Sequence, residues 1–315
     1  MIKADAVKPH YEKVKEKWAE LLSQYYLPNG SLNPEFLFEV SCPYCQSTAK
    51  KENDTFVLNG FKHNSCKDCD GVYVSPRLKD ECLEKLYNDE YYSQIYIESM
   101  IPAFETRKKL IGQSKFKQVL QYSKKTGRVL DIGCGIGEVI DVFKDNGWDC
   151  HTIEVNPAAI RWLKTRNIHP FVGPFNQYPV QEKFDVIMAW GVVEHVVDPI
   201  DFLKKVFSQL NPGGVFVSEV PSGQSLLLDY CRNTLKDPGR IIMGEQHIVL
   251  HSVKAYEGLH KASGLEKLHV QTNGLDIETI LKVNKQTADD TTIFEIQKYV
   301  DAAMKGDLIR GFWKK

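Results

Sequence analysis

The chain has 315 residues, 26% of them charged and 43% hydrophobic, with a formal net charge of -1 at pH 7. Such a balance is that of an ordinary globular protein with a sizeable core, and it gives no bulk electrostatic case for a nucleic-acid partner. No apolar run reaches the ~18 residues of a membrane span, and residues 1–10 lack an apolar leader core, so the expectation is a cytoplasmic protein whose eight cysteines are thiols or metal ligands, not disulfides.

In chain order, Tyr11, Val14, Trp18, Leu21, Leu22 and Tyr25 recur at helical spacing, which predicts an amphipathic helix over 10–26 inside an N-terminal helical segment (1–40). Pro28-Asn29-Gly30 stops it. Residues 41–75 carry Cys42-Pro-Tyr-Cys45 and Cys66-Lys-Asp-Cys69. Each pair sits on a tight turn, and four thiolates suit a tetrahedral Zn²⁺ with no open position, so the reading is a structural zinc ribbon held by Cys42, Cys45, Cys66 and Cys69. A segment this short buries little core, and metal coordination would supply its folding energy. Residues 76–125 read as a helical linker or lid, with helices near 79–88 and 104–122 and an aromatic patch of Tyr87, Tyr91, Tyr92 and Tyr96. That patch suits either a stacking surface for an acceptor or a core between head and domain.

Residues 126–315 form the main domain. Strand-helix alternation from Arg128 to Pro221 predicts a doubly wound α/β domain with a parallel sheet. The run Val129-Leu-Asp131-Ile-Gly133-Cys134-Gly135-Ile-Gly137 places three alternate glycines after a strand and before a helix expected at 138–146, where backbone approaches a ligand. A second strand, 150–155, carries Glu154 near its end, an acceptor for ribose hydroxyls. Asn156-Pro157 is an N-cap with proline at the first helical position. The dinucleotide pattern G-x-G-x-x-G fails in either register, since the sixth position is Glu138 or Ile140. Glu138 also puts negative charge where a pyrophosphate would sit. No Gly-Lys-Ser/Thr follows, which excludes a P-loop. The ligand is read as a nucleoside with a zwitterionic tail. Residues 223–252 look like an irregular, His-containing insertion over the acceptor pocket; 253–264 reads as helix, 265–272 as strand, and Leu308–Trp313 as a last edge strand.

The segment Val129–Gly137 resembles the first motif of class I S-adenosylmethionine (SAM) methyltransferases. Phe184–Trp190 resembles their fourth strand, Gly191–Pro199 the segment after it, and Leu210–Pro221 the following turn and fifth strand. The four stand in family order. The resemblance implies a Rossmann-like seven-stranded sheet with a reversed last strand, and SAM as cofactor. It implies that Asp131, Gly133 and Gly135 surround the carboxypropyl end, with Cys134 and Gly137 in the same loop, and that Glu154, beside Val155, takes the ribose. The adenine-flanking slot lacks the usual acidic residue; backbone with Phe175 or Gln177 nearby would serve. Trp190 closes the fourth strand. The ribbon head resembles that of bacterial methyltransferases of sugar and polysaccharide metabolism.

Methyl transfer needs positioning and, for a hydroxyl acceptor, removal of a proton. His195 follows the fourth strand at the mouth of the sheet; it could act as base, or hold a divalent cation with Glu194, as a similar pair does in ubiquinone-pathway O-methyltransferases. His247 on the insertion is a second base candidate. The slot Ala189-Trp190-Gly191-Val192 lacks the Asn/Asp-Pro-Pro-Tyr of nucleobase-methylating enzymes. The reading is therefore methyl transfer to a small-molecule hydroxyl, sugar-type first, without nucleic acid. Sugar C-methylation, RNA methylation through the ribbon, and a non-catalytic SAM-binding module are the alternatives.

Overall fold

A computed structural model describes residues 18–89, 93–94, 96–236 and 245–315. Of the expected first helix, residues 18–22 are helical and Ser23–Tyr25 form a tighter turn; Tyr11 and Val14 lie outside the described residues, as do Tyr91 and Tyr92. The strands then run β1 (Lys50–Leu58), β2 (Phe61–Cys66) and β3 (Val72–Val74), followed by α1 (Asp80–Asn88). Helix α2 (104–119) is continuous but widens to a π-helical turn over Lys108–Gly112. The main domain continues with β4 (Arg128–Ile132), α3 (Ile140–Asp145), β5 (Asp149–Glu154), α4 (Pro157–Thr165), β6 (Phe171–Val172), β7 (Phe184–Trp190), α5 (Pro199–Gln209) and β8 (Leu210–Pro221). After it come α6 (Leu226–Tyr230), β9 (Val249–Leu250), α7 (Val253–Ala262), β10 (Glu266–Asn273), α8 (Asp276–Val283), α9 (Asp290–Ala302) and β11 (Leu308–Lys314).

The large sheet has seven strands in the order β10-β11-β8-β7-β4-β5-β6. β4 to β8 are parallel to one another, and β11 runs antiparallel to both β8 and β10. The sequence reading of the reversed strand therefore holds, but its place does not. β11 is interior, not an edge: it pairs with β8 on one side and β10 on the other, and its Ile309, Phe312 and Trp313 are all buried. The edge falls to β10, whose first residues are exposed.

Alternation along β7 makes the sheet two-faced. Ile187 and Ala189 join Leu130, Ile132 and Phe216 in one core. Val186 and Met188 join Val129, Val217 and Phe143 in the other. Helices stay on register through local caps: Asn156 Oδ1 accepts the N–H groups of Ala158 and Ala159 at 3.0 and 3.1 Å ahead of Pro157, as the sequence predicts. Helix α3 starts two residues later than expected, because Gly137, at φ +80, first turns the chain.

The head is joined to this domain by main-chain pairing. β9 pairs with β3 (Val249 opposite Tyr73, Leu250 opposite Val72), completing a four-stranded sheet in the order β9-β3-β2-β1. Residues 223–252 are thus not irregular throughout: they supply α6, a π-turn at Cys231–Leu235 and β9. A third core gathers Trp18, Leu22, Phe61, Val74, Leu83 and Leu86 around Ile248 from the same segment.

Candidate active site

The glycine loop lies between β4 and α3, at the carboxyl ends of the parallel strands. Gly133, Gly135 and Gly137 all have positive φ (+65, +56 and +80), a conformation that side chains resist. The loop is pinned from below: the N–H groups of Gly133 and Cys134 both donate to Ile153 O. A side chain on Gly137 would fall 2.6 Å from Leu163, so α4 packs directly on the loop. At Gly135 the space is open, with Tyr96 the nearest group at 3.7 Å from where a Cβ would stand. Glu154 ends β5 and closes the loop from the side. Its Oε2 accepts the Gly135 N–H at 2.7 Å, and its Oε1 accepts those of Val155 and Asn156, each at 2.8 Å. Burial nonetheless raises its pKa above the ordinary value.

Asp131, in β4, is fully buried, and its Oδ1 has no hydrogen-bond partner among the described residues. Burial, then the neighbouring Glu138, push its carboxyl well above the usual range. A cationic group of a ligand would reverse that. Glu138 is not the free negative charge that the sequence implied. Arg107 of α2 pairs with it through Nε at 3.1 Å and through its terminal nitrogen. A Cβ on Gly112 would stand 2.2 Å from Glu138 O, so glycine there lets α2 reach the loop.

The other predicted cofactor positions divide. Cys134 is buried, while Val155 is exposed. Phe175 packs edge-on to Phe202 at 5.1 Å in the core, so its ring is engaged there. The Trp190 ring lies 4.1 Å from Lys115 Nζ and 5.4 Å from the Arg310 guanidinium, and its Nε1 is buried without a described partner. Both cations pair with Glu219: Lys115 at 2.9 Å, Arg310 through Nε at 2.7 Å. Burial alone would raise Glu219, but Arg310 and Lys115 outweigh it and hold the carboxyl at about 2. Sequence reasoning missed this buried trio. Its members are far apart in the chain, and the one signal was an acidic residue inside the apolar fifth strand.

Above the sheet, Glu194, His195 and His247 bring one ligand atom each to within 4.8 Å of one another. Glu194 is buried, and burial lifts its pKa to about 8. Burial lowers His195 to about 4, so its ring is neutral. His195 Nδ1 lies 2.9 Å from Gln246 O. A carbonyl only accepts, so Nδ1 carries the hydrogen and Nε2 keeps its lone pair. That nitrogen stands 3.9 Å from Glu194 Oε1. Tyr87 Oη, at 3.0 Å from Nδ1, holds the ring from the head side. Two imidazoles and a carboxylate are a donor set for a divalent ion with positions left open. In the head, Cys42 and Cys69 have their sulfurs 3.6 Å apart, as do Cys45 and Cys66, and all four lie within 4.8 Å. A tetrahedral zinc with bonds of about 2.3 Å needs sulfurs about 3.8 Å apart, so the cluster fits one.

Residues 105–270, more than half of the chain, match a family model described as a methyltransferase domain. The chain belongs to that family, and its fold is the Rossmann-like fold of SAM-dependent methyltransferases. It is 32% identical over 99 residues to a ubiquinone biosynthesis O-methyltransferase of Bradyrhizobium sp. (strain ORS 278), a match covering 29% of this chain and 38% of that one. It is 27% identical over 194 residues to a tRNA U34 carboxymethyltransferase of Colwellia psychrerythraea, 58% of this chain and 57% of the relative. The chain thus spans well under two thirds of the length of either relative. A SAM-dependent methyltransferase of Thermotoga maritima shares the fold at a TM-score of 0.50 and 16% identity, over 71% of this chain and 98% of that one. Among the described residues no helix is long and apolar enough to cross a membrane.

Proposed function

We propose that the protein transfers a methyl group from SAM to a hydroxyl of a small-molecule acceptor. The observation that carries this reading is the cluster of Glu194, His195 and His247 at the carboxyl end of β7, on the same edge of the sheet as the glycine loop. SAM supplies an electrophilic methyl and its own leaving group, so no side-chain nucleophile is needed. Glu154 and the backbone of Gly133–Gly137 would hold the nucleoside. Asp131 offers its unpartnered oxygen to the ammonium of the methionine tail. His195 Nε2, kept unprotonated by the Gln246 carbonyl, is placed to take a hydroxyl proton. With a divalent ion on Glu194, His195 and His247, that lone pair would go to the ion instead, which would fix the acceptor oxygen and lower its pKa, the proton then leaving to solvent. The four cysteines would hold a structural zinc.

The acceptor class put first is a saccharide hydroxyl, on the likeness of the head to sugar-metabolising methyltransferases. The named relatives act in ubiquinone biosynthesis and on tRNA, so the test must separate these classes. Methyl-labelled SAM is incubated with the protein and a lysate that is then split into small-molecule, RNA and protein fractions. Label in a small molecule supports the reading and gives a mass for the acceptor. Label in RNA overturns it. A His195→Ala protein that binds SAM normally but transfers label at least a hundredfold more slowly would place the histidine in the transfer step, as base or as ion ligand, since general acid-base groups contribute about 10²–10⁴-fold.

A further inference from the structure

Four buried polar atoms between the head and the Glu194 turn have no hydrogen-bond partner among the described residues: Tyr44 Oη, both ring nitrogens of His251, and Glu194 Oε2. Buried polar groups are almost always satisfied, by protein or by ordered water. Four such atoms on neighbouring elements therefore call for ordered water as their partner. Tyr44 stands in the turn between Cys42 and Cys45, so its backbone is set by the cysteine cluster. Its ring meets His251 edge-on at 5.1 Å. His251 directly follows β9, which packs against the Val193–His195 turn that carries Glu194. Tyr44 and Val193, the residue directly before Glu194, share one core. The ring reaches this place only because residue 71 is glycine: a Cβ there would lie 2.4 Å from the Tyr44 ring.

We propose that Tyr44 is a positioning residue for Glu194, its hydroxyl orienting the carboxylate through water shared with His251, so that the cysteine cluster shapes the catalytic edge as well as the head. The proposal rests on reading Glu194, His195 and His247 as a divalent-cation site. In metal sites, partners that orient a ligand from behind typically matter ten- to a hundredfold for affinity.

The test titrates Mn²⁺ into the full chain, zinc-loaded, and reads bound ion by electron paramagnetic resonance. Wild type, Glu194→Gln and Tyr44→Phe are compared, with zinc content, thermal midpoint and SAM affinity measured alongside. The expected result is stoichiometric Mn²⁺ binding by wild type, loss in Glu194→Gln, and about tenfold weaker binding in Tyr44→Phe with the other three readings unchanged. If wild type binds no Mn²⁺, or Glu194→Gln binds as well as wild type, the cation site itself is wrong and the proposal goes with it. If Glu194→Gln fails while Tyr44→Phe binds like wild type, the cation site stands and the role of Tyr44 is overturned. Should Tyr44→Phe lose zinc or unfold, 3-fluorotyrosine at position 44 replaces it: bound Mn²⁺ must broaden its ¹⁹F line, and a sharp line overturns the proposal.

Discussion

Glu154 Oε2 accepts the backbone N–H of Gly135 at 2.7 Å, so the residue proposed to hold the ribose also shapes the loop proposed to hold the rest of the cofactor. The two functions are one hydrogen-bond system. Glu154→Gln places an amide nitrogen among three backbone donors and must leave at least one unmatched. We predict about ten- to a hundredfold weaker SAM binding by calorimetry, the scale of about 1.5–3 kcal/mol for hydrogen bonds to a charged group. Unchanged affinity would remove Glu154 from the site.

Gly135→Val tests the loop from its open side. The backbone sits at φ +56, and the new side chain would project into the space above it. SAM binding should be abolished while zinc content stays that of wild type. Calorimetry showing wild-type affinity would falsify the loop assignment.

The buried trio predicts a stability effect. Glu219→Gln leaves Lys115 and Arg310, whose side chains are 12% and 8% exposed, without their anion. Removing one partner of a buried pair typically costs about 3–5 kcal/mol. The urea midpoint should fall accordingly, and a midpoint equal to wild type would mean the cations find solvent.

A pH effect follows from the acidic corner at the start of β11. Burial, then Asp276, raise Asp307 to about 8, against an ordinary value of 3.8 in the unfolded chain. The folded state therefore keeps a proton that the unfolded state releases. Stability from this group is complete below the unfolded value and is lost as pH rises through the folded one. Wild type should weaken between about pH 4 and pH 8, by at most about 1.4 kcal/mol per unit from this proton. Denaturation at several pH values should show a flatter profile for Asp307→Asn.

Zinc is tested by Cys66→Ser. The metal content should drop to zero and the thermal midpoint should fall, since closed zinc sites contribute about 10–16 kcal/mol of apparent binding energy in small fingers. Full zinc content in the variant would disprove the four-cysteine site.

The strand-helix alternation, the loop, the Asn156 cap and the cysteine pairs were legible because each is written in neighbouring residues. What escaped was non-local. Glu138 read as an isolated charge, since Arg107 stands far upstream and reaches it only where Gly112 lets α2 come close. Lys115, Glu219 and Arg310 lie on three separate elements, and no periodicity joins them. Helices α8 and α9 fall between β10 and β11 in the chain, so the last strand had to insert beside β8 and not at the rim. A two-residue strand such as β9 carries too little pattern to announce its partner.

That short pairing constrains how the protein comes into being. The sheet begun by Lys50–Leu58 gains its fourth strand only from Val249–Leu250, after the central sheet strands β4 to β8 have been made. During synthesis the cysteine-bearing head must wait, its border unfinished, until Leu250 has left the ribosome. Grafted onto another enzyme without the β9 segment, this head would leave the outer edge of β3 unpaired.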